Sequence, residues 1–276
     1  MIKMILGIKP PIVMGILNVT PDSFSDGGRF LDVDKAVRHA EEMVTAGADV
    51  IDVGGESTRP GSEGVSTDEE MARVIPVIEK IKQNLSVQIS VDTTKPEVAE
   101  AALAAGAKII NDVSMLRNGP ELAQVAAKHG AVLILMHSRK RPINMQEEIR
   151  YQDVVTDVRD ELLKAVSQAL YQGVESENIW LDPGIGFAKT PEQNLALMAQ
   201  LSVITQCGYP VLVGPSRKSF IGIFAGGDPD HRLGGTIAAV AISIYNGAAA
   251  VRVHDIDVVK QAVIISEKLR EARGVQ

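Results

Sequence analysis

A single cysteine, Cys207, stands in a chain of 276 residues, so no intrachain disulfide can form and a reducing compartment is the simpler expectation. Aromatic residues make up only 4% of the chain, which leaves the core to Val, Ile, Leu and Ala. Basic residues are outnumbered: 28 Lys and Arg against 35 Asp and Glu give a net charge of −7. That balance argues against general nucleic-acid binding, which needs a basic face, so a phosphate-bearing partner must be met by a local cluster of donors. Long apolar runs are missing too. Pro10 and Pro11 break the opening stretch before a secretory core can form, so no targeting segment is expected. The most apolar later stretch, 237–253, is interrupted by Tyr245, Asn246 and Gly247, too polar to span a bilayer. A cytoplasmic protein is the expectation.

What the chain has instead is a rhythm. Short apolar, β-branched runs at 12–18, 50–53, 87–91, 108–113, 132–137, 179–182, 210–214 and 249–254 read as strands. Helical patterns lie between and after them, at about 34–46, 68–83, 96–105, 120–129, 154–172, from Thr190 onward, 235–245 and 257–273. Glycine follows several of these helices (Gly47, Gly106, Gly130, Gly208), where a left-handed residue ends a helix well. Eight such alternations without a linker or a change of composition predict one (β/α)8 barrel over residues 1–276, with an open doubly wound sheet as the alternative. Locally, Thr67 is expected to cap its helix in a capping box with Glu70, and Pro76 to kink or break that helix near Ile75.

The run VQISVDTTKP, 87–96, is the pivot of the functional reading. Its strand delivers Asp92 at the carboxyl end, while Thr93 or Thr94 can cap the helix opened by Pro96. Asp92 is then free for chemistry. In a barrel the working face is formed by the carboxyl ends of the strands. Here those ends carry Asn18, Asp52, Asp92, Asn111 with Asp112, His137, Asp182, Ser216 with Lys218, and Arg252 with His254. Any one of them could be a turn-making residue. That reading does not predict polar groups at every strand end.

Charge separates two sets. Asp92, Asn111 and Asp182 suit a nitrogen-rich ring with donor edges, because a carboxylate can accept neighbouring N–H groups side by side. Lys218, Arg252 and His254, with Arg217 and Arg59, form a cationic set for an anion, to which the helix after GPSRKS can add backbone donors. The loops TPDSFSDGGRF and GGESTRPGSEG, after the first two strands, are too rich in Gly, Ser and Asp to bury much and read as lids.

The stretches MGILNVTPDSFSDGG, DVGGESTRPG, SVDT, INDVS, LMH, DPGIGF, GPSRKSFIG and VRVHD, in that order, resemble the signature segments of bacterial dihydropteroate synthases along nearly the whole chain. The resemblance implies a transferase of folate biosynthesis and a sulfonamide target. It would condense 6-hydroxymethyl-7,8-dihydropterin diphosphate with 4-aminobenzoate, using Mg²⁺, and release diphosphate. It implies a pterin site of Asp92, Asn111, Asp182 and Lys218 with Met136 and Gly214, and a diphosphate site of Asn18, Thr58, Arg59, Arg252 and His254, Asn18 also meeting the metal. It further implies an aminobenzoate pocket of Phe24, Pro60, Phe187, Lys218 and Ser219, with Asp92, Lys218, Arg252 and His254 carrying the chemistry. The segment SRKRPINMQ and Ala188 depart from the glycine-containing forms usual in the family. A homodimer is the expected assembly, with the apolar helix near 237–244 either at its interface or buried under the last helix. Two other readings share parts of the pattern: a corrinoid-linked methyltransferase domain acting on methyltetrahydrofolate, and a catalytically silent pterin-binding paralogue.

Overall fold

The computed structural model describes residues 4, 6–20, 29–56, 64–139 and 150–274, the side chains of 29–32 apart. Eight strands run parallel: β1 (Ile12–Asn18), β2 (Val50–Gly54), β3 (Gln88–Asp92), β4 (Ile109–Asp112), β5 (Val132–Met136), β6 (Ile179–Asp182), β7 (Leu212–Val213) and β8 (Ala250–Val253). Their order, β6-β5-β4-β3-β2-β1-β8-β7, is an open series of seven pairings. A parallel bridge between Leu181 and Val211 closes it into a barrel, with the Leu181 N–H donating to Pro210 O at 2.9 Å. The doubly wound alternative is thereby excluded. β7 is shorter than the expected 210–214, for Pro210 has no N–H to give a ladder.

The helices are α1 (Arg29–Thr45), α2 (Thr67–Asn84), α3 (Pro96–Ala105), α4 (Glu121–His129), α5 (Val154–Tyr171), α6 (Pro191–Ala199), α7 (Ser202–Thr205), α8 (Ser219–Ala225), α9 (Leu233–Tyr245) and α10 (Ile256–Arg273). Short α7 escaped the sequence reading, and α1 begins before the expected Asp34. Three local expectations need correction. Ser66, not Thr67, caps α2: its backbone is extended and its hydroxyl accepts the Glu69 N–H at 3.2 Å, so the capping box with Glu70 does not form. The helix then runs unbroken through exposed Pro76, which withdraws one backbone donor facing water. At α3, Lys95 takes the cap position without a side-chain capping bond, and the Thr93 hydroxyl accepts the Lys95 N–H at 3.2 Å in a local turn instead.

Side-chain alternation explains both cores. Ile12, Met14, Val50, Ile109, Val132, Ile134, Trp180, Leu212 and Ala250 pack on one another inside the barrel, with Leu6 and Ile8 against them. Their neighbours of opposite parity, such as Val13, Ile51, Val91, Ile110 and Val251, join the helices in the outer core. Two residues further along the inward faces, the character changes. Val50 gives way to Asp52, Ile109 to Asn111, Ile134 to Met136, Trp180 to Asp182, Leu212 to Gly214 and Ala250 to Arg252. On β3 the inward series is Gln88, Ser90, Asp92. The barrel interior is thus dry at its amino end and polar at its carboxyl end. α9 packs against α10 and buries Thr236, Ala239, Val240, Ser243 and Ile244, so burial accounts for most of its apolar character. Among the described residues, no helix is long and apolar enough to cross a membrane.

Candidate active site

Arg252 lies at the centre of the polar end. Its Nε donates to Asp52 Oδ2 at 2.6 Å and one Nη2 hydrogen to Asp92 Oδ2 at 2.8 Å. Asp52 is fully buried, two residues short of the end of β2, and the same Oδ2 also accepts the Asn111 amide at 3.1 Å. One carboxylate therefore orients both the guanidinium and the Asn111 amide. Other acceptors are left over: Asp92 Oδ1, Asn111 Oδ1 and Asp52 Oδ1 are buried without a partner among the described residues. Buried acceptors are rarely left bare in a finished fold, so a set of them at one mouth is a docking edge for donors.

Electrostatics sharpens this. Burial pushes Asp92 up to about 7 against the pull of Arg252, with Asp52 and Glu70 adding to the rise. Asp182, at the end of β6, is raised to about 6 by burial, although Gly184 N–H donates to its Oδ1 at 2.7 Å and Lys218, Lys189 and Arg252 oppose the rise. Lys218 is pushed down to about 8 by burial and by Arg252, against Asp182 and Asp92. Its ammonium sits 4.0 Å from the centre of the Phe187 ring, a cation–π contact. Groups moved this far toward neutrality around one opening mark a working site. Asp92, Asp182, Lys218 and Arg252 thus influence one another around that opening.

The remaining residues fall into place unevenly. Met136 is buried beside Phe187, Ala188 and Val113. Gly214 leaves room beside Arg252, whose Cβ would stand 3.7 Å from a methyl added there. Asn18 ends β1; its Oδ1 and Asp92 Oδ2 each lie 3.8 Å from where a Cβ on Gly54 would stand, so the two oxygens flank one small gap. Ser219 is exposed at the start of α8. Phe24, Thr58, Arg59 and Pro60, with the loops that carry them, lie outside the described residues.

Two cationic assignments change. Burial, with Arg252 and Arg217 nearby, pushes His254 down to about 4, so it is a neutral imidazole near pH 7 and not a cation. Ser216 Oγ accepts the His254 backbone N–H at 3.3 Å and lies 3.0 Å from its Nδ1. The hydroxyl and Nδ1 share one hydrogen bond, which leaves Nε2 for a further partner. Arg217 faces elsewhere: it makes a two-pronged pair with Asp255, at 3.0 and 2.6 Å, and a third bond to Asp230 at 2.9 Å. It ties the β7 loop to α10 and is spent. Asp112, too, is structural, accepting from Ser114 and Leu116 in the turn after β4.

Sequence reasoning gave Asp52 and His137 no specific task and left out Lys189. Asp52 was findable from its inward parity with Val50. Lys189 offered no such signal, since its partners are mostly carbonyls. A cleft of about 680 Å³ beside α5, lined by Arg139, Tyr151, Asp157 and Glu161, includes none of the strand-end acids.

Residues 14–254 match the family model described as pterin binding enzyme. The dihydropteroate synthase of Bacillus subtilis (strain 168) is 49% identical over 264 residues, covering 96% of this chain and 90% of that protein. The Yersinia pestis dihydropteroate synthase, solved with a sulfonamide drug, superposes with a TM-score of 0.91 at 41% identity, covering 98% of this chain and all of that one. That of Xanthomonas albilineans, solved with 7,8-dihydropteroate, gives a TM-score of 0.84 at 38% identity, covering 97% and 95%. With so much of its length matched to proteins of one kind, the chain belongs to the pterin-binding enzyme family and, within it, to the dihydropteroate synthases.

Proposed function

We propose that this chain, as one domain over residues 1–276, condenses 6-hydroxymethyl-7,8-dihydropterin diphosphate with 4-aminobenzoate to give 7,8-dihydropteroate and diphosphate. The observation that carries the reading is the shared mouth in which Arg252 bonds Asp92 while Asp92 Oδ1 and Asn111 Oδ1 await donors. A pterin edge supplies N–H groups for Asp92, Asn111 and Asp182, with Lys218 completing its surround. The methylene–oxygen bond breaks in an SN1-like step: the electron pair leaves with the diphosphate, and the methylene cation delocalises into the ring. Ionised Asp92 stabilises that charge as it forms. Arg252, whose Nη1 has no partner among the described residues, receives the departing oxygens, with the His254 imidazole proposed as a second donor through Nε2. The aromatic amine then attacks the methylene carbon and loses a proton, over Phe187 and Ser219 on this side of the pocket. No side-chain nucleophile is required. Phe24, Thr58, Arg59 and Pro60 are proposed to complete the anion and aminobenzoate sites.

Mg²⁺ is proposed to arrive with the diphosphate, where it would supply charge neutralisation. The amide oxygen of Asn18, a hard neutral donor at the end of β1, fits an ion that would be held chiefly by substrate phosphates and water.

Diphosphate release is expected only when pterin diphosphate, aminobenzoate and Mg²⁺ are all present, measured with a coupled phosphate assay. Release that ignores aminobenzoate, or none at all, would overturn the reading. The methyltransferase alternative has no use for Arg252 and His254 at a leaving group. A cytoplasmic homodimer is also proposed: Ile223, Phe224, Ile242, Ile265 and Leu269 are exposed on the adjoining helices α8, α9 and α10. Sedimentation at twice the 29.5 kDa chain mass is expected, and a monomer sinks the dimer.

A further inference from the structure

The loop after β6 places Asp182 at its start and Phe187 near its end, yet it has little regular structure to hold it. Gly184, Gly186 and Ala188 have φ of 66°, 82° and 50°, the last a left-handed backbone on a residue with a Cβ. At Gly184 a Cβ would stand 1.9 Å from the His137 carbonyl oxygen, so the loop is pressed onto the end of β5. The space inside the curl is filled by Lys189. Its Nζ lies 3.0 Å from Gly184 O, 2.9 Å from Phe187 O and 3.3 Å from His137 O, with His137 Nδ1 at 3.0 Å. Burial pushes Lys189 down to about 7 against Asp182 and Glu161, so its amine serves first as a hydrogen-bonding hub about which its own loop is wrapped.

A second layer braces it. His137 has outward parity on β5, away from the barrel mouth, and is fully buried. Burial and Lys189 push its pKa down to about 4, so Nδ1 keeps a lone pair for the Lys189 amine and Nε2–H donates to Glu161 Oε2 at 2.9 Å. Glu161, on α5, is held in turn by the Arg139 Nε at 2.9 Å. Tyr151 lies under the Arg139 guanidinium, 3.9 Å from ring centre to Cζ, and its hydroxyl donates to Ala188 O at 3.0 Å. The carbonyl of the strained residue is therefore pinned from the α5 side.

We propose that Lys189 is a positioning residue for the condensation, its amine, braced by His137, Glu161 and Tyr151, fixing the loop that sets Phe187 against Lys218 and Asp182 beneath the pterin. Lys189 itself works behind that loop, and the role rests on the condensation proposed above. A support of this kind acts through the precision of the groups it carries, where small displacements are costly.

The test compares wild type with Lys189→Met and Tyr151→Phe in the full-length protein. Lys189→Met keeps the stem and removes the amine with its hydrogen bonds; Tyr151→Phe removes only the hydroxyl and leaves the ring under Arg139. In Lys189→Met, KM for aminobenzoate is expected to rise about tenfold and sulfonamide affinity to fall alongside it, with kcat at saturation within about threefold. Tyr151→Phe should raise the same KM about threefold with an unchanged melting curve, and decides the matter if Lys189→Met does not fold. Unshifted aminobenzoate KM in the folded variants overturns the inference, as does a fall in kcat with KM constant. An inactive wild type strikes the condensation itself; an active wild type with indifferent variants strikes only the role of Lys189.

Discussion

Asp92→Asn is expected to lower kcat about a thousandfold while leaving the melting temperature equal to or slightly above that of the wild type. The amide is isosteric and retains an oxygen for the Arg252 Nη2, which now reaches Asp92 Oδ2 at 2.8 Å, so packing has no reason to change. What disappears is a negative charge facing the methylene cation. The fold does not need that charge. Asp92 is 6% exposed and its carboxyl is raised to about 7, so the native state disfavours the ionised form. The sign follows from linkage. Above the unfolded value near 3.8 the unfolded chain holds an ionised Asp92 more readily than the native one, so wild type loses stability relative to the variant as pH climbs toward about 7. The gap in melting temperature, variant minus wild type, should widen from pH 4 to pH 7 and stay level beyond, which thermal scans across that range will show. Activity should mirror it. Wild-type kcat/KM for the pterin diphosphate should fall as pH drops below about 7, where Asp92 takes up a proton, while the variant should begin to fall only toward about 6, where Asp182 does. A variant with kcat within about threefold of wild type would remove Asp92 from the chemistry.

This separation between what the fold wants and what the site wants was partly visible in the chain itself. Alternating strands show in their β-branched runs, and the inward series is legible once the period of two is applied: Val50 then Asp52, Ile109 then Asn111, Ala250 then Arg252. From that alone the carboxyl ends can be named as the site. What a linear reading could not supply is pairing. Asp52 and Arg252 are 200 residues apart, and only closure of the barrel between β1, β2 and β8 brings them to 2.6 Å. The same blindness put Arg217 among the anion contacts, though Asp255 and Asp230 had already claimed it, and counted His254 as a cation before burial was known. Lys189 was hidden for a different reason. Backbone carbonyls leave no mark in a side-chain motif, so a lysine whose partners are carbonyls reads as a solvated residue.

Arg252→Met should cost stability as well as activity, on the order of 3–5 kcal/mol in urea unfolding, together with loss of measurable turnover. Methionine fills much of the same volume, so the penalty comes from what it strands. Asp52 has zero exposure and would lose its Nε donor, keeping only the Asn111 amide, while Asp92 would lose the one bond its Oδ2 makes. Two buried carboxylates without a cation between them cannot both remain charged. The variant should therefore regain stability as pH falls and Asp92 protonates, the opposite of ordinary acid unfolding. Arg252→Lys is expected to restore little, because a point charge cannot send two donors to two separate carboxylates as the planar guanidinium does. The discriminating protein is the double variant Asp52→Asn, Arg252→Met. If the cost of the single change is the stranded charge, neutralising Asp52 should return about half of it while turnover stays absent, because the diphosphate still meets no guanidinium. A single variant within about 1 kcal/mol of wild type, or a double variant no more stable than the single, would show that Arg252 is held by packing and not by the acids beneath it.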